Sequence, residues 1–103
     1  MNAEEPSGDG KELLRDCETT KNVSSTMWCY GYLNGILDMQ SLTEGNPYLP
    51  TLCTPPEVTM EQARRVVVKY LQNHPEKLHY GEHALTYIAL IEAFPCKAQP
   101  APE

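Results

Sequence analysis

Apolar residues recur along this chain at helical spacing, and no stretch alternates as a strand would require. Asp9 followed by Glu12 has the form of an N-terminal capping box, and Leu13, Leu14 and Cys17 then mark one face of a short first helix. Ser24 or Ser25 offers an N-cap for a second helix, in which Cys29, Leu33, Ile36, Leu37 and Gln40 fall at helical spacing as far as about Ser41. Thr59 with Gln62 opens a third helix, with Ala63, Val67, Tyr70 and Leu71 as its inner stripe and Val66 and Val68 at the edges. Pro75 biases His74 away from helical geometry, which ends this helix near Asn73. A fourth helix is expected from about Glu82 to Phe94, with Leu85, Ile88, Ala89 and Glu92 on one side and Ala84, Tyr87 and Ile91 on another. A helix apolar over more than half its circumference is central in the core or covered by a second subunit. The pattern predicts an all-α fold, a small bundle of four, or four to five, helices with no sheet.

Between the second and third helices, Thr43 to Pro56 carries Gly45, Pro47, Pro50, Pro55 and Pro56, which excludes regular structure. Loops beyond about 12 residues are usually functional or disordered, and Tyr48, Leu49, Leu52 and Cys53 argue that this one is anchored. Residues 1–8 and 97–103 are polar and proline-rich, so they are expected to be disordered tails flanking a single domain at 9–96.

Composition narrows the function. A chain of 103 residues with 8 basic and 14 acidic side chains has a formal charge of -6, which repels phosphate backbones. Nucleic acid is therefore not an expected partner. No apolar run approaches the roughly 20 residues of a membrane span, and no basic stretch followed by an apolar one marks a leader.

The cysteines, Cys17, Cys29, Cys53 and Cys96, are even in number and separated by 12, 24 and 43 residues, unlike the close pairs of structural zinc sites. They suit two disulfides in a small exported protein. An exported protein carries a signal peptide, so the chain is expected to be a mature, periplasmic form with that segment removed and Met1 as an added start. An up-and-down arrangement favours Cys17 with Cys29 and Cys53 with Cys96, although the long loop could redirect the chain and leaves the other pairings open.

Catalytic patterns are few. His79-Tyr80-Gly81-Glu82-His83 matches the H-x-x-E-H pattern of inverted zinc proteases. That site needs both histidines on one continuous helix, and Gly81 sits inside the motif where the helix is expected to begin, so a helix-start turn with surface histidines is the preferred reading. No G-x-S-x-G or phosphate-binding glycine loop occurs, and oxidised thiols are not nucleophiles. No enzyme activity, metal or cofactor is expected. Asp38, among apolar residues, reads as a carboxylate bonded near a helix end. Trp28, Tyr30, Tyr32 and Tyr48 are candidate interface anchors, with core packing as the competing explanation. Gly31 and Gly35 each cost helix stability relative to Ala, about 1 kcal/mol, which close approach of another backbone would offset.

Taken together, Cys29, Y-G-Y-L-N-G-I-L-D ending at Asp38, C-T-P at Cys53, V-V-V-K-Y-L-Q-N-H-P-E-K-L-H ending at His79 and A-F-P-C closing at Cys96 resemble the Rap/Tai family of immunity proteins, over nearly all of residues 13–96. The resemblance implies a small, dimeric, periplasmic helical protein that neutralises a peptidoglycan amidase toxin of a type VI secretion system by occluding its active site. In this scheme the loop 44–56 or the turn 74–82 enters the catalytic groove. Glu44, Asn46, Tyr48, Glu57, His74, His79 and Tyr80 are then candidate partner-binding residues, and Gly31, Gly35, Tyr87 and Ile91 are candidates for close packing or a homodimer. The alternatives are a periplasmic acid-stress chaperone resembling HdeA, an orphan periplasmic binding protein, and a zinc hydrolase using His79, Glu82 and His83.

Overall fold

The computed structural model describes residues 8–43, 48 and 51–96. The expected terminal tails fall outside the described residues apart from Gly8, and so do Glu44 and Asn46. Four helices of eight residues or more form the described fold: α1 (Gly10–Cys17), α2 (Val23–Asp38), α4 (Met60–Asn73) and α5 (Glu82–Ala93). A four-residue turn of helix, α3 (Gln40–Thr43), follows α2, and a short 3-10 turn at Pro75–Lys77 precedes α5. Among the described residues there is no strand, only one isolated antiparallel bridge between Asp9 and Gly81.

α1, α2 and α4 each start where a side chain satisfies a free backbone N–H, whereas α5 starts at Gly81 without a side-chain cap. The Asp9 carboxylate accepts from the Glu12 N–H at 3.1 Å, and the Thr59 hydroxyl accepts from the Gln62 N–H at 3.1 Å. The cap of α2 differs from the expected serines: Asn22 accepts from the Ser25 N–H at 3.1 Å. Asn caps as well as Ser, and the displaced Ser25 instead donates its hydroxyl to Asp16 at 3.2 Å, joining α2 to α1. The second helix also stops early. Met39 closes α2 through its N–H to the Ile36 carbonyl, and the chain restarts as α3.

Leu13, Cys17, Cys29, Leu33, Leu52, Val67, Leu71, Leu85 and Leu90 are essentially inaccessible and form one core shared by α1, α2, α4 and α5. The inner stripe expected for the third helix is present in α4, where Ala63, Val67, Tyr70 and Leu71 are buried. In α5 the buried line is Glu82, Leu85, Thr86, Ala89 and Leu90, while Glu92, grouped by spacing with Leu85 and Ala89, is exposed. Thr86 tolerates full burial because its hydroxyl donates to the Glu82 carbonyl at 2.8 Å.

Both disulfides have the favoured pairing, Cys17–Cys29 and Cys53–Cys96, with Cα separations of 5.2 and 5.0 Å. The start of the chain is fastened to the start of α5 by backbone bonds: Gly10 N to Tyr80 O at 3.0 Å, Lys11 N to Leu78 O at 3.2 Å and Glu82 N to Gly8 O at 3.0 Å. Gly10 makes that approach possible, since a Cβ there would lie 2.5 Å from Leu85 Cδ1 and 3.0 Å from the Leu78 carbonyl oxygen.

Candidate partner-binding surface

The loop before α4 is held at three points. Leu52 is buried in the core, and the Gln40 side-chain amide grips one residue twice: Thr54 N–H donates to Gln40 Oε1 at 3.0 Å, and Gln40 Nε2 donates to the Thr54 carbonyl at 3.3 Å. The Cys53–Cys96 bridge is the third attachment, tying the loop to the end of α5. Upstream of these anchors Tyr48 is 90% exposed, and downstream Glu57 is exposed just before α4. A shallow depression of about 160 Å³ lies between Leu37, Gln40, Thr54, Pro55, Pro56 and Val58.

The other candidates sit beyond the far end of α4. His74 is half-buried, stacked on Tyr70 with ring centroids 4.1 Å apart and its Nδ1 2.7 Å from the Tyr70 carbonyl. It helps to line an open groove of about 350 Å³ between α4 and α5, with Val66, Lys69, Ala89 and Glu92 among the walls. His79 and Tyr80 are exposed and meet edge to face at 4.5 Å. A helix of 14 residues is about 21 Å long, so α4 keeps Glu57 apart from His74, His79 and Tyr80. The structure does not bring the two groups of candidates into one site.

A third surface was not singled out as a whole in the sequence. Along α2 and α3, Val23 is 74%, Met27 64%, Trp28 42%, Met39 40% and Leu42 67% exposed. Gly31 and Gly35 are also exposed on α2, and a Cβ at either would have nothing within 4 Å, so among the described residues no backbone makes the close approach that their cost suggested. Trp28 stacks in parallel on Tyr32 at 5.1 Å. Tyr87 and Ile91, proposed alongside the glycines, are half-buried against the core. The signal that could have found this face is excess: α2 carries more large apolar residues than one buried stripe can use.

One polar cluster binds the scaffold rather than a ligand. The Glu61 carboxylate receives the Tyr30 hydroxyl at 2.7 Å, Arg64 Nε and Nη2 at 2.8 and 2.7 Å, and Arg65 Nε at 2.9 Å. These donors, Arg64 foremost, hold the Glu61 carboxyl well below the usual carboxylate range. Tyr30 is thereby committed to Glu61. The Tyr32 hydroxyl is buried with no hydrogen-bond partner among the described residues, and burial pushes its pKa up to about 12. Asp38 is exposed at the end of α2.

The H-x-x-E-H residues diverge. His79 precedes α5, whose N-cap is Gly81, and His83 is exposed beside Gly81. Glu82 is buried against the Gly8 strap, with burial and then the nearby Glu12 raising its pKa. Among the described residues no three metal-ligating side chains gather. No helix among them is long and apolar enough to cross a membrane.

A family model described as Rap1a immunity proteins matches residues 9–96. Among curated proteins no relative matches the chain.

Proposed function

The chain belongs to the Rap1a immunity protein family, and on that premise we propose that it neutralises a peptidoglycan amidase toxin of a type VI secretion system in the periplasm. The single observation that carries this reading is the family match across 9–96, the whole of the described bundle save Gly8. The architecture is suited to the task. Two disulfides fit an oxidising compartment and stiffen a small core. The segment around Cys53, anchored by Leu52, Gln40 and the disulfide, has little left to order on binding, and Tyr48 is exposed. The chain acts by occupying a catalytic groove and is not itself an enzyme.

In this reading the protein works as a homodimer, and the α2 face is the surface where two copies meet. Asp38 is the only charged residue in α2, so two chains of net charge -6 meet there with little like-charge repulsion. Gly31 and Gly35 leave room for the second backbone, flanked by Met27 and Trp28.

The test is titration of the full, oxidised chain into a panel of type VI peptidoglycan amidases, with release of cleaved muropeptides as readout. Stoichiometric inhibition of at least one enzyme, with a complex isolable by gel filtration, is the expected result. Full amidase activity across the panel in the presence of excess protein would overturn the amidase assignment.

A further inference from the structure

The two disulfides occupy opposite environments. Cys17 and Cys29 are both 0% exposed, enclosed with Leu13 and Leu33 where α1 meets α2. Cys53 is half-buried and Cys96 is exposed, just beyond the end of α5. Thiol–disulfide exchange requires a thiolate to reach a sulfur in line with the S–S bond, so access decides which bridge reacts and at which atom. A buried bridge exchanges only when the surrounding structure opens.

We propose that Cys53–Cys96 is a thiol–disulfide exchange site, attacked at Cys96 by a thiolate of a small thiol or a dithiol oxidoreductase, while Cys17–Cys29 remains closed. The attacking sulfur bonds to Cys96 Sγ, the Cys53–Cys96 bond breaks, and its electron pair leaves on Cys53, which takes a proton from water. With a dithiol reagent, the second thiolate attacks the mixed disulfide, releases Cys96 as a thiol and closes the reagent's own disulfide. Two electrons pass from reagent to bridge.

The fold survives this step because the loop has other holds. Leu52 stays in the core, Gln40 keeps its two bonds to Thr54, and α5 is packed through Leu85, Ala89 and Leu90. What is released is the tie between the loop and the end of α5. Exchange thus changes the freedom of the segment around Cys53 without melting the bundle, and it needs no toxin to occur.

The full oxidised chain is incubated with reduced glutathione, or separately with dithiothreitol, quenched with iodoacetamide and mapped by mass spectrometry. Glutathione is expected on Cys96, with the alkyl group on Cys53. Dithiothreitol is expected to open Cys53–Cys96 at least about tenfold faster than Cys17–Cys29, with helical circular dichroism retained and amide exchange rising over residues 51–58. The double variant Cys53→Ser with Cys96→Ser is expected to stay helical and to form no glutathione adduct. Equal rates at both bridges, glutathione on Cys53 in place of Cys96, or loss of helicity in step with opening of the outer bridge or in the double variant would each overturn the proposal.

Discussion

Arg64 donates from Nη1 to the backbone carbonyl of Cys17 across 2.6 Å, joining α4 to the last residue of α1 beside the inner disulfide. Carbonyls in the last turn of a helix have no partner within it, and Arg64, itself only 8% exposed, supplies one. Arg64→Ala is expected to lower stability by roughly 2–3 kcal/mol, because a buried carbonyl loses its donor. The corresponding fall in Tm is about 4–8 °C per kcal/mol for a domain of this size. Thermal unfolding followed by circular dichroism measures it, and an unchanged Tm would remove this bond from the account of stability.

Acid should act on two carboxylates in opposite directions. The folded pKa of Glu61 is depressed by Arg64, Tyr30 and Arg65, so its contribution is present above the ordinary value of 4.5 and is lost as pH falls below it. The folded pKa of Glu82 is raised by burial, by the acidic Glu12, Asp16 and Asp9 facing it, and against the opposing His83, so the fold gains as pH falls through that raised value toward 4.5. Stability is expected to peak in the mildly acid range and to decline below 4.5. A Tm–pH profile checks this: Glu82→Gln should flatten the rise on the near side of the peak, and Glu61→Gln should flatten part of the decline. Client-aggregation assays at pH 2 to 3 on the same samples separate an immunity protein from an acid-stress chaperone, which alone gains holdase activity there.

The glycines divide into two kinds. Gly10→Ala drives a methyl group into Leu85 and the Leu78 backbone and should cost roughly 1–3 kcal/mol. Gly31→Ala and Gly35→Ala meet open space and should each stabilise the isolated chain by up to about 1 kcal/mol. If a second copy packs on α2, the same alanines weaken self-association. Tm at low concentration and sedimentation at high concentration separate the two effects, and unchanged association would remove the glycines from the dimer surface.

Tyr48→Ala should leave Tm almost unchanged, since the side chain is 90% exposed. In the proposed complex it should weaken inhibition by about 30-fold or more, as loss of an aromatic anchor does. A titration matching the parent chain would exclude Tyr48 as a contact.

Periodicity made the helices legible, Asp9 and Thr59 their starts, and Pro75 the end of α4, because each of these signals acts within a few residues. The up-and-down order of the elements favoured the observed disulfide pairing but left the others open, because the long loop before α4 carries no signal for its course. Interactions that join distant residues left no local mark: Arg64 with Cys17, Gln40 with Thr54, and the strap from Gly8 to Lys11 against Leu78 to Glu82. Asn22 was passed over because serines follow it within one turn and would have served equally well. The glycine that close packing requires is Gly10, which carries no helical spacing to advertise it, whereas Gly31 and Gly35, which do, face away from the other described residues. Of the candidate partner residues, Tyr48, Glu57, His79 and Tyr80 are exposed, and their distribution over the two ends of α4 was already contained in the extent expected for that helix, from Thr59 to about Asn73.

That separation has a consequence for stoichiometry. A body seated against Glu57 at one pole of α4 does not shade His79 and Tyr80 at the other, so occupancy of one pole leaves the second vacant. Bound copies at the two poles are therefore to be counted separately when the stoichiometry of a complex is measured.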